Sequence, residues 1–300
     1  MPMPALPVRF EGDPLTIDLH MHSTASDGTL PPADLVALCR ARGLTHMALT
    51  DHDTMAGIAE AQVAAQREGI QLIPGTELST QWRGVNIHVV GLLPDGPCGA
   101  LVPGLAAQAE AREQRSWRIA ERLEKIGLGD ALARAREQAG SMRPLGRPDF
   151  ARALVAAGLV PDIGTAFKKH LGNGKAGDIK AHWPFLSTAV AWILDAGGVA
   201  VLAHPLCHGL TRRKRGLLLD DFAAAGGQAA ELVSGFQNAD VTRDLARQLQ
   251  ERGLTGSVGS DFHFPGGHLA PGSMSPVPRT ATPPVWTHPR LAGLAAPAAA

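Results

Sequence analysis

The stretch Ile17-Asp18-Leu19-His20-Met21-His22-Ser23-Thr24-Ala25-Ser26-Asp27-Gly28 constrains this chain more than any other. It reads as the end of a strand running into a loop. Side chains alternate faces along a strand, so Asp18, His20 and His22 project one way and Leu19 and Met21 the other. Two imidazoles on one face, with carboxylates on either side, form a pincer for a divalent ion, and imidazole plus carboxylate suits zinc, manganese or iron. A lone histidine would read more simply as a packed core residue or a surface one. A His-x-His at a strand end, with Asp27 shortly after it, favours metal ligation.

The chain has 300 residues, enough to bury a large core, and its formal net charge is zero. Proteins that coat long duplexes carry a basic excess, so any nucleic-acid contact here should be local. Cys39, Cys98 and Cys207 lie far apart without a Cys-x-x-Cys pair, which argues against a disulfide framework and a zinc ribbon. The N-terminus lacks the apolar core of a signal peptide, and no apolar run approaches the roughly 20 residues that span a bilayer. A soluble, cytoplasmic protein is expected, with no membrane and no obligate protein partner. Met1 to Pro14 reads as a leader without structure, and 271–300 as loop followed by a disordered Ala/Pro-rich tail.

Between these ends the pattern alternates. Strands are expected at Leu15–Leu19 and His46–Thr50, then one that begins at Gln71 to Ile73 and ends at Gly75-Thr76-Glu77-Leu78-Ser79, and a fourth at Asn86–Gly91, with helices from Pro31-Pro32 to Gly43 and from Met55 to Glu68. The connection before Asn86 is too short for a crossover helix, so the third and fourth strands should be antiparallel. From Leu101 to about Ala181 the sequence is helical only, at Leu105–Ile126, Ala131–Ala139, Asp149–Ala157 and Ile163–His170. Alternation resumes with helix Leu186–Ala196, strand Val199–Ala203, helix Leu217–Ala225, strand Ala229–Val233, helix Val241–Arg252 and strand Thr255–Gly259. Seven strands, mostly joined by helices, favour an α/β fold with a closed or nearly closed barrel. The expected division is a barrel from 15–100 and 182–270 with a helical insertion at 101–181.

Further candidate ligands fall at strand ends: His52 after the second strand, Glu77 after the third, His204 after the fifth, and Asp261 and His263 after the seventh, with His88 inside the fourth. The C-terminal rim of a parallel α/β barrel is where catalytic groups collect. Singly, each has a bland reading: His88 as a core histidine, His263 as a surface one, Glu77 as a carboxylate on the approach to a helix. With His20, His22 and Asp27 they make nine metal-type residues, too many for one ion and suited to two or three, with Glu77 as the candidate bridge. Such a cluster supports hydrolysis, by acidifying water and neutralising oxygens at the reaction centre. Phosphate esters fit best, because phosphoryl transfer demands charge stabilisation above covalent chemistry.

These residues carry a resemblance. Asp18-Leu19-His20-Met21-His22-Ser23, Thr50-Asp51-His52-Asp53, Gly75-Thr76-Glu77, His88, Ala203-His204-Pro205 and Gly259-Ser260-Asp261-Phe262-His263 resemble the successive motifs of the PHP (polymerase and histidinol phosphatase) family over about residues 15 to 265. The resemblance implies a distorted seven-stranded α/β barrel and three divalent ions, manganese first, with iron or zinc as alternatives. By motif, His20, His22, Glu77 and Asp261 would hold one ion, Asp27, His52 and His263 a second, and Glu77, His88 and His204 a third. Glu77, His204 and Asp261 would be catalytic. Asp18 and His208 are further candidates to protonate a leaving oxygen through water.

The insertion resembles one subgroup. Gly146-Arg147-Pro148-Asp149-Phe150-Ala151-Arg152-Ala153-Leu154-Val155, Phe167-Lys168-Lys169-His170-Leu171 and Gly174-Lys175 are similar to bacterial 3',5'-nucleoside bisphosphate phosphatases and related 5'-to-3' exoribonucleases. That implies a cap subdomain whose Arg147, Lys168, Lys169 and Lys175 hold the substrate's non-reacting 5'-phosphate, gripped bidentately by arginine and as point charges by lysine. A solvated basic face is the competing reading of the lysines. The implied activity is removal of the 3'-phosphate from a 3',5'-nucleoside bisphosphate, extending to short 5'-phosphorylated RNA. Three departures bear on specificity. Asp149 stands where histidine is usual and would repel a phosphate unless it points away. Asp178 replaces an aromatic residue, which leaves base stacking to Phe150, Phe167, Trp183 or Phe185. Leu206-Cys207 replaces Gly-Arg, for which Arg212 is the best-placed substitute, although the run Arg212–Arg215 also reads as a basic surface turn. Rival readings are another phosphomonoesterase of the family, such as a histidinol phosphatase, a metal-dependent amidohydrolase acting at carbon, and a metal-stabilised binding module without activity.

Overall fold

The computed structural model describes residues 9–10, 16–140, 143–172, 174–179, 183–267 and 269–291. Among these, seven strands form one sheet in chain order: β1 (Ile17–Asp18), β2 (His46–Leu49), β3 (Gln71–Trp82), β4 (Val85–Leu92), β5 (Val199–Leu202), β6 (Ala229–Ser234) and β7 (Thr255–Gly259). Neighbours pair in parallel except β4, which is antiparallel to both β3 and β5. The two-residue turn Arg83-Gly84 permits only a hairpin there, and Gly84 takes φ +77° to make it. The sheet closes on itself: the Leu19 amide donates to Val258 O, the Asp261 amide to His20 O and the His22 amide to Phe262 O. The α/β barrel expected from the alternation is therefore present.

Helices cover the outside of the sheet. Helix α1 (Pro32–Ala41) starts on Pro31-Pro32, whose fixed φ suits a first turn, and α2 (Ile58–Glu68) stops at Gly69 in the left-handed region. Leu35, Val36 and Cys39 of α1 and Ile58, Ala61, Ala64 and Ala65 of α2 recur at helical spacing. They bury against Met47 and Leu49 of β2 together with Met21 and Phe262. Helix α7 (Leu186–Asp195), α8 (Arg212–Ala224) and α9 (Ala239–Gln250) complete the outer layer.

Residues 105–183 form a compact unit of their own, apart from the unit made by 1–104 and 184–300. It contains most of α3 (Leu101–Glu124), then α4 (Ala131–Ala139), α5 (Arg147–Ala156) and α6 (Ile163–Ala166). The last runs into a π-helical turn, Phe167–Leu171. Its core is Ile119, Leu123, Leu128, Leu145, Phe150, Leu154 and Leu171.

Three expectations change. Strand β3 does not end at Gly75-Thr76-Glu77-Leu78-Ser79 but runs unbroken to Trp82, so Glu77 lies within a strand. Helix α8 starts at Arg212, five residues before the expected Leu217. Its polar first turn gives no apolar stripe to read, but Thr211 caps it by accepting from the Lys214 amide. The chain after Pro271 is no loose tail as far as it is described. Gly256 donates to Pro283 O, Val285 and Trp286 are fully buried, and the Trp286 ring meets that of Phe10 edge-on at 5.2 Å. Phe10 thus packs although it falls in the expected leader; 1–8, 11–15 and 292–300 lie outside the described residues.

Candidate metal centre

The polar interior of the barrel unit begins at β1. Asp18 is wholly buried and accepts from three backbone amides, those of His20 (3.3 Å), Ser260 (2.9 Å) and Gly272 (2.8 Å). It therefore pins the chain ends that carry the ligands. His20 and His22 follow, both buried. The loop after them folds over Asp51, whose carboxylate accepts from the Ser23 amide (2.8 Å) and from the Ser23 and Ser26 hydroxyls (2.6 Å each). Gly28 closes that loop so tightly that a Cβ would lie 2.4 Å from His22 O, and this presents Asp27. Gly259 acts similarly on β7, where a Cβ would sit 2.3 Å from the Cβ of His20.

Three groups of ligand atoms result, each within 4.8 Å of its members: His20, His22, Glu77 and Asp261; His22, Asp27, His52 and His263; and His52, Glu77 and His88. In the first, His20 Nε2 and His22 Nε2 are 3.1 Å apart. Glu77 Oε2 lies 3.2 and 3.3 Å from them, and Asp261 Oδ1 3.5 and 3.3 Å. Tetrahedral ligands at 2.0–2.2 Å from an ion stand about 3.4 Å apart, so this spacing fits an ion at the centre. In the second, Asp27 Oδ1 lies 3.9 Å from His52 Nε2 and 3.5 Å from His263 Nε2. In the third, Glu77 meets His52 Nδ1 and His88 Nδ1 at 2.9 Å each. His204 is outside that group, yet its Nε2 is 2.8 Å from the same Glu77 oxygen that meets His88. All nine candidate ligands are thus gathered in the barrel unit, with Glu77 common to two groups and in contact with His204.

Two local features mark these residues as held in place. His204 and Asp261 adopt φ of +27° and +55°, values that non-glycine residues rarely take and that cluster at functional sites. Asp27 Oδ1, Glu77 Oε2 and His204 Nδ1 are buried without a hydrogen bond of good geometry among the described residues, although imidazole nitrogens lie 3.5 and 3.9 Å from the first and 2.9 to 3.3 Å from the second. Carboxylate oxygens crowded by imidazole nitrogens in this way are suited to sharing a cation with them.

The electrostatics agree. Burial alone would raise Asp27 and Glu77, yet facing histidines, His52 first in each case, hold both well below the usual carboxylate range. Burial would lower His263, but Asp27 pushes it up to about 10. His20 is raised well above an ordinary histidine by Glu231, Glu77 and Asp261 against its burial. His52 goes the other way, to about 4, because its burial outweighs Glu77 and Asp27. Without an ion, positive imidazolium charge balances the carboxylates. A divalent ion would take that place and release the protons.

The insertion disposes of several sequence expectations. Asp149 is buried and accepts from the guanidinium groups of Arg143 (2.7 and 2.9 Å) and Arg152 (2.5 Å) and from the Gly146 amide (2.7 Å). Its charge is matched within the insertion by Arg143 and Arg152. Phe150 is fully buried, and Trp183 is nearly so, with Arg112 and Arg115 5.6 and 5.9 Å from its ring. Both fill core, so neither is a platform for a base, whereas Phe185 of the barrel unit is 70% exposed. Arg147 donates to Leu171 O at 3.3 Å and lies 5.9 Å over the Phe167 ring, while Lys168, Lys169 and Lys175 are exposed. Arg212 donates to both oxygens of Asp244 at 3.0 and 2.9 Å, an exposed ion pair between α8 and α9. Sequence reasoning missed Glu231, which accepts from His20 Nδ1 at 2.6 Å and from the His204 amide at 2.6 Å. The available signal was one carboxylate in an otherwise apolar run, Ala-Ala-Glu-Leu-Val.

Comparison with known proteins agrees with this geometry. The family model described as PHP domain matches residues 18–168. A 5'-3' exoribonuclease of Haemophilus influenzae is 45% identical over 252 residues, covering 84% of this chain and 91% of its own. A 3',5'-nucleoside bisphosphate phosphatase of Chromobacterium violaceum is 41% identical over 250 residues, with coverages of 83% and 88%. A solved structure from Chromobacterium violaceum, described as an amidohydrolase with bound sulfate and no metal, matches with a TM-score of 0.85 at 39% identity, covering 91% of this chain and 95% of that one.

Proposed function

The chain belongs to the PHP domain family, and from that premise we propose that it is a metal-dependent phosphoesterase that removes the 3'-phosphate of 3',5'-nucleoside bisphosphates and shortens 5'-phosphorylated RNA from its 5' end. The observation that carries this reading is the convergence of eight histidine, aspartate and glutamate side chains into three groups linked pairwise by His22, His52 and Glu77, with a ninth, His204, against Glu77. We assign three divalent ions to them, with manganese the first choice. Bound there, such ions acidify water and neutralise charge on phosphoryl oxygens.

The chain's own residues supply the rest. Water adds to phosphorus, the bond from phosphorus to O3' breaks, and O3' takes up a proton. Glu77 and Asp261 fix the reacting end of the site, and His204, whose ring reaches Glu77, is the residue we assign to deliver that proton. Arg147, Lys168, Lys169 and Lys175 are assigned to the 5'-phosphate, which would make 5'-phosphorylated substrates preferred. Arg212 is the weakest of the candidate contacts, because Asp244 already engages it.

One described structure carries the name amidohydrolase, which favours a second reading, hydrolysis at carbon. None of the seven strands carries a lysine that could be carboxylated to hold ions at such a site. The test is product analysis with adenosine 3',5'-bisphosphate, using manganese-loaded and chelated protein. Conversion to 5'-AMP and phosphate, dependent on the metal and abolished by His22→Ala or Asp261→Ala, is expected. Hydrolysis of amides with no turnover of the bisphosphate would move the assignment to carbon.

A further inference from the structure

We propose that Glu231 is the positioning residue of this centre, setting the tautomer of His20 and holding His204 in its strained backbone conformation. The inference rests on the metal-centre reading above. Glu231 is 2% exposed, and its two oxygens face different ligands. Oε1 lies 2.6 Å from His20 Nδ1, and Oε2 accepts from the His204 amide at 2.6 Å. A carboxylate only accepts, so the ring of His20 must carry its proton on Nδ1. Nε2 is then the nitrogen whose lone pair is offered to an ion once that ion displaces the second proton, and Nε2 is the atom that lies 3.1 to 3.5 Å from His22, Glu77 and Asp261. With the opposite tautomer, an N–H would point into the group of ligands.

The second oxygen acts on another strand end. His204 sits at φ +27°, where a non-glycine residue stays only if its surroundings insist. Its amide is tied across β5 and β6 to Glu231. The pairing of β6 with β7 slips between Glu231 and Val233, and a slip of this kind re-aims side chains next to a site. Gly259 on β7 leaves the room: a Cβ there would stand 3.0 Å from Glu231 Oε1. One carboxylate thus couples a ligand of the first group to the ring that meets Glu77.

Glu231→Gln tests this with hardly a change in volume. Glutamine has one acceptor and one donor, so it cannot accept from both His20 and the His204 amide. If its oxygen serves His204, its NH2 imposes the wrong tautomer on His20. Chelated wild type and variant are titrated with Mn2+, with the free ion followed by its electron paramagnetic resonance signal. One class of site should weaken 10- to 100-fold in the variant. The loss should be less than additive with that of His20→Ala, since the two act on one ligand. An unchanged isotherm, or full additivity, overturns the inference. A wild type that takes up no Mn2+ overturns the metal centre itself. If the variant does not fold, zinc-loaded wild type with 15N-labelled histidine decides. The His20 proton should reside on Nδ1, and a proton on Nε2 overturns the proposal.

Discussion

Asp149 illustrates how a residue's chemistry and its address can disagree. Beside a phosphate it would be repulsive, but its four acceptor contacts are internal to the insertion, and it anchors the first turn of α5. Asp149→Ala leaves Arg143, whose side chain is 7% exposed, without its counter-charge. Breaking such a buried pair costs about 3 kcal/mol, to be read in urea unfolding. If Asp149 instead faced substrate, the same change would lower KM for adenosine 3',5'-bisphosphate with little loss of stability. A second residue gives a pH dependence. His46 is 2% exposed and its burial brings it down to about 4 from 6.5. The unfolded chain therefore binds a proton that the folded one refuses between those values, and stability falls as pH drops through that window. At pH 5 the loss is about 2 kcal/mol relative to pH 7.5. His46→Gln should flatten that part of the unfolding profile, and an unchanged slope would contradict the account. At this scale the nine candidate ligands could be singled out, because few residue types bind divalent ions. Glu231, Asp51 and the anchoring role of Asp18 were not, because a carboxylate that supports a ligand looks in sequence like any other carboxylate.

Elements were legible where periodicity is strong and obscure where it is weak. Strand β7 and helix α4 run between the expected residues because each has clear stops. Strand β3 was ended a few residues early, at Gly75-Thr76-Glu77-Leu78-Ser79, and Gly75 is required inside it: a Cβ would stand 2.8 Å from Gly91 O on β4. The start of α8 was missed because four basic residues carry no apolar stripe. That start decides the standing of Arg212, which the first turn of α8 turns toward Asp244, a carboxylate also held by Arg215 at 3.1 Å. Arg147 differs, lying at the head of α5 beside the π-helical turn that carries Lys168 and Lys169. Arg147→Ala should raise KM for 5'-phosphorylated substrates about tenfold, the worth of one charge-assisted contact. Arg212→Ala should leave KM within about twofold, with under about 1 kcal/mol of lost stability. Steady-state kinetics on substrates with and without a 5'-phosphate separates the two. Equal effects of Arg147→Ala on both would remove it from the 5'-phosphate site.

At the scale of the molecule, closure of the barrel and assembly of the centre are one event. The hydrogen bonds that join β1 to β7 involve His20, His22 and Asp261 themselves, and Glu77 in β3 reaches histidines from β4 and from the loops after β1, β2 and β5. The sequence could place ligands at strand ends, but that they converge depends on closure, which no local pattern encodes. Ions bound to the folded chain alone should therefore stabilise the barrel as a whole, in addition to enabling chemistry. At free ion a hundredfold above Kd, each site adds about 2.7 kcal/mol, or roughly 5 °C in Tm for a chain of this size. Chelation should lower Tm and abolish turnover together, and Mn2+ should restore both with the same concentration dependence. Among the described residues no helix is long and apolar enough to cross a membrane. Should turnover return at Mn2+ concentrations that leave Tm unmoved, the ions that serve catalysis would be bound at a site that closure does not build. The groups that share Glu77 would then have to be reassigned.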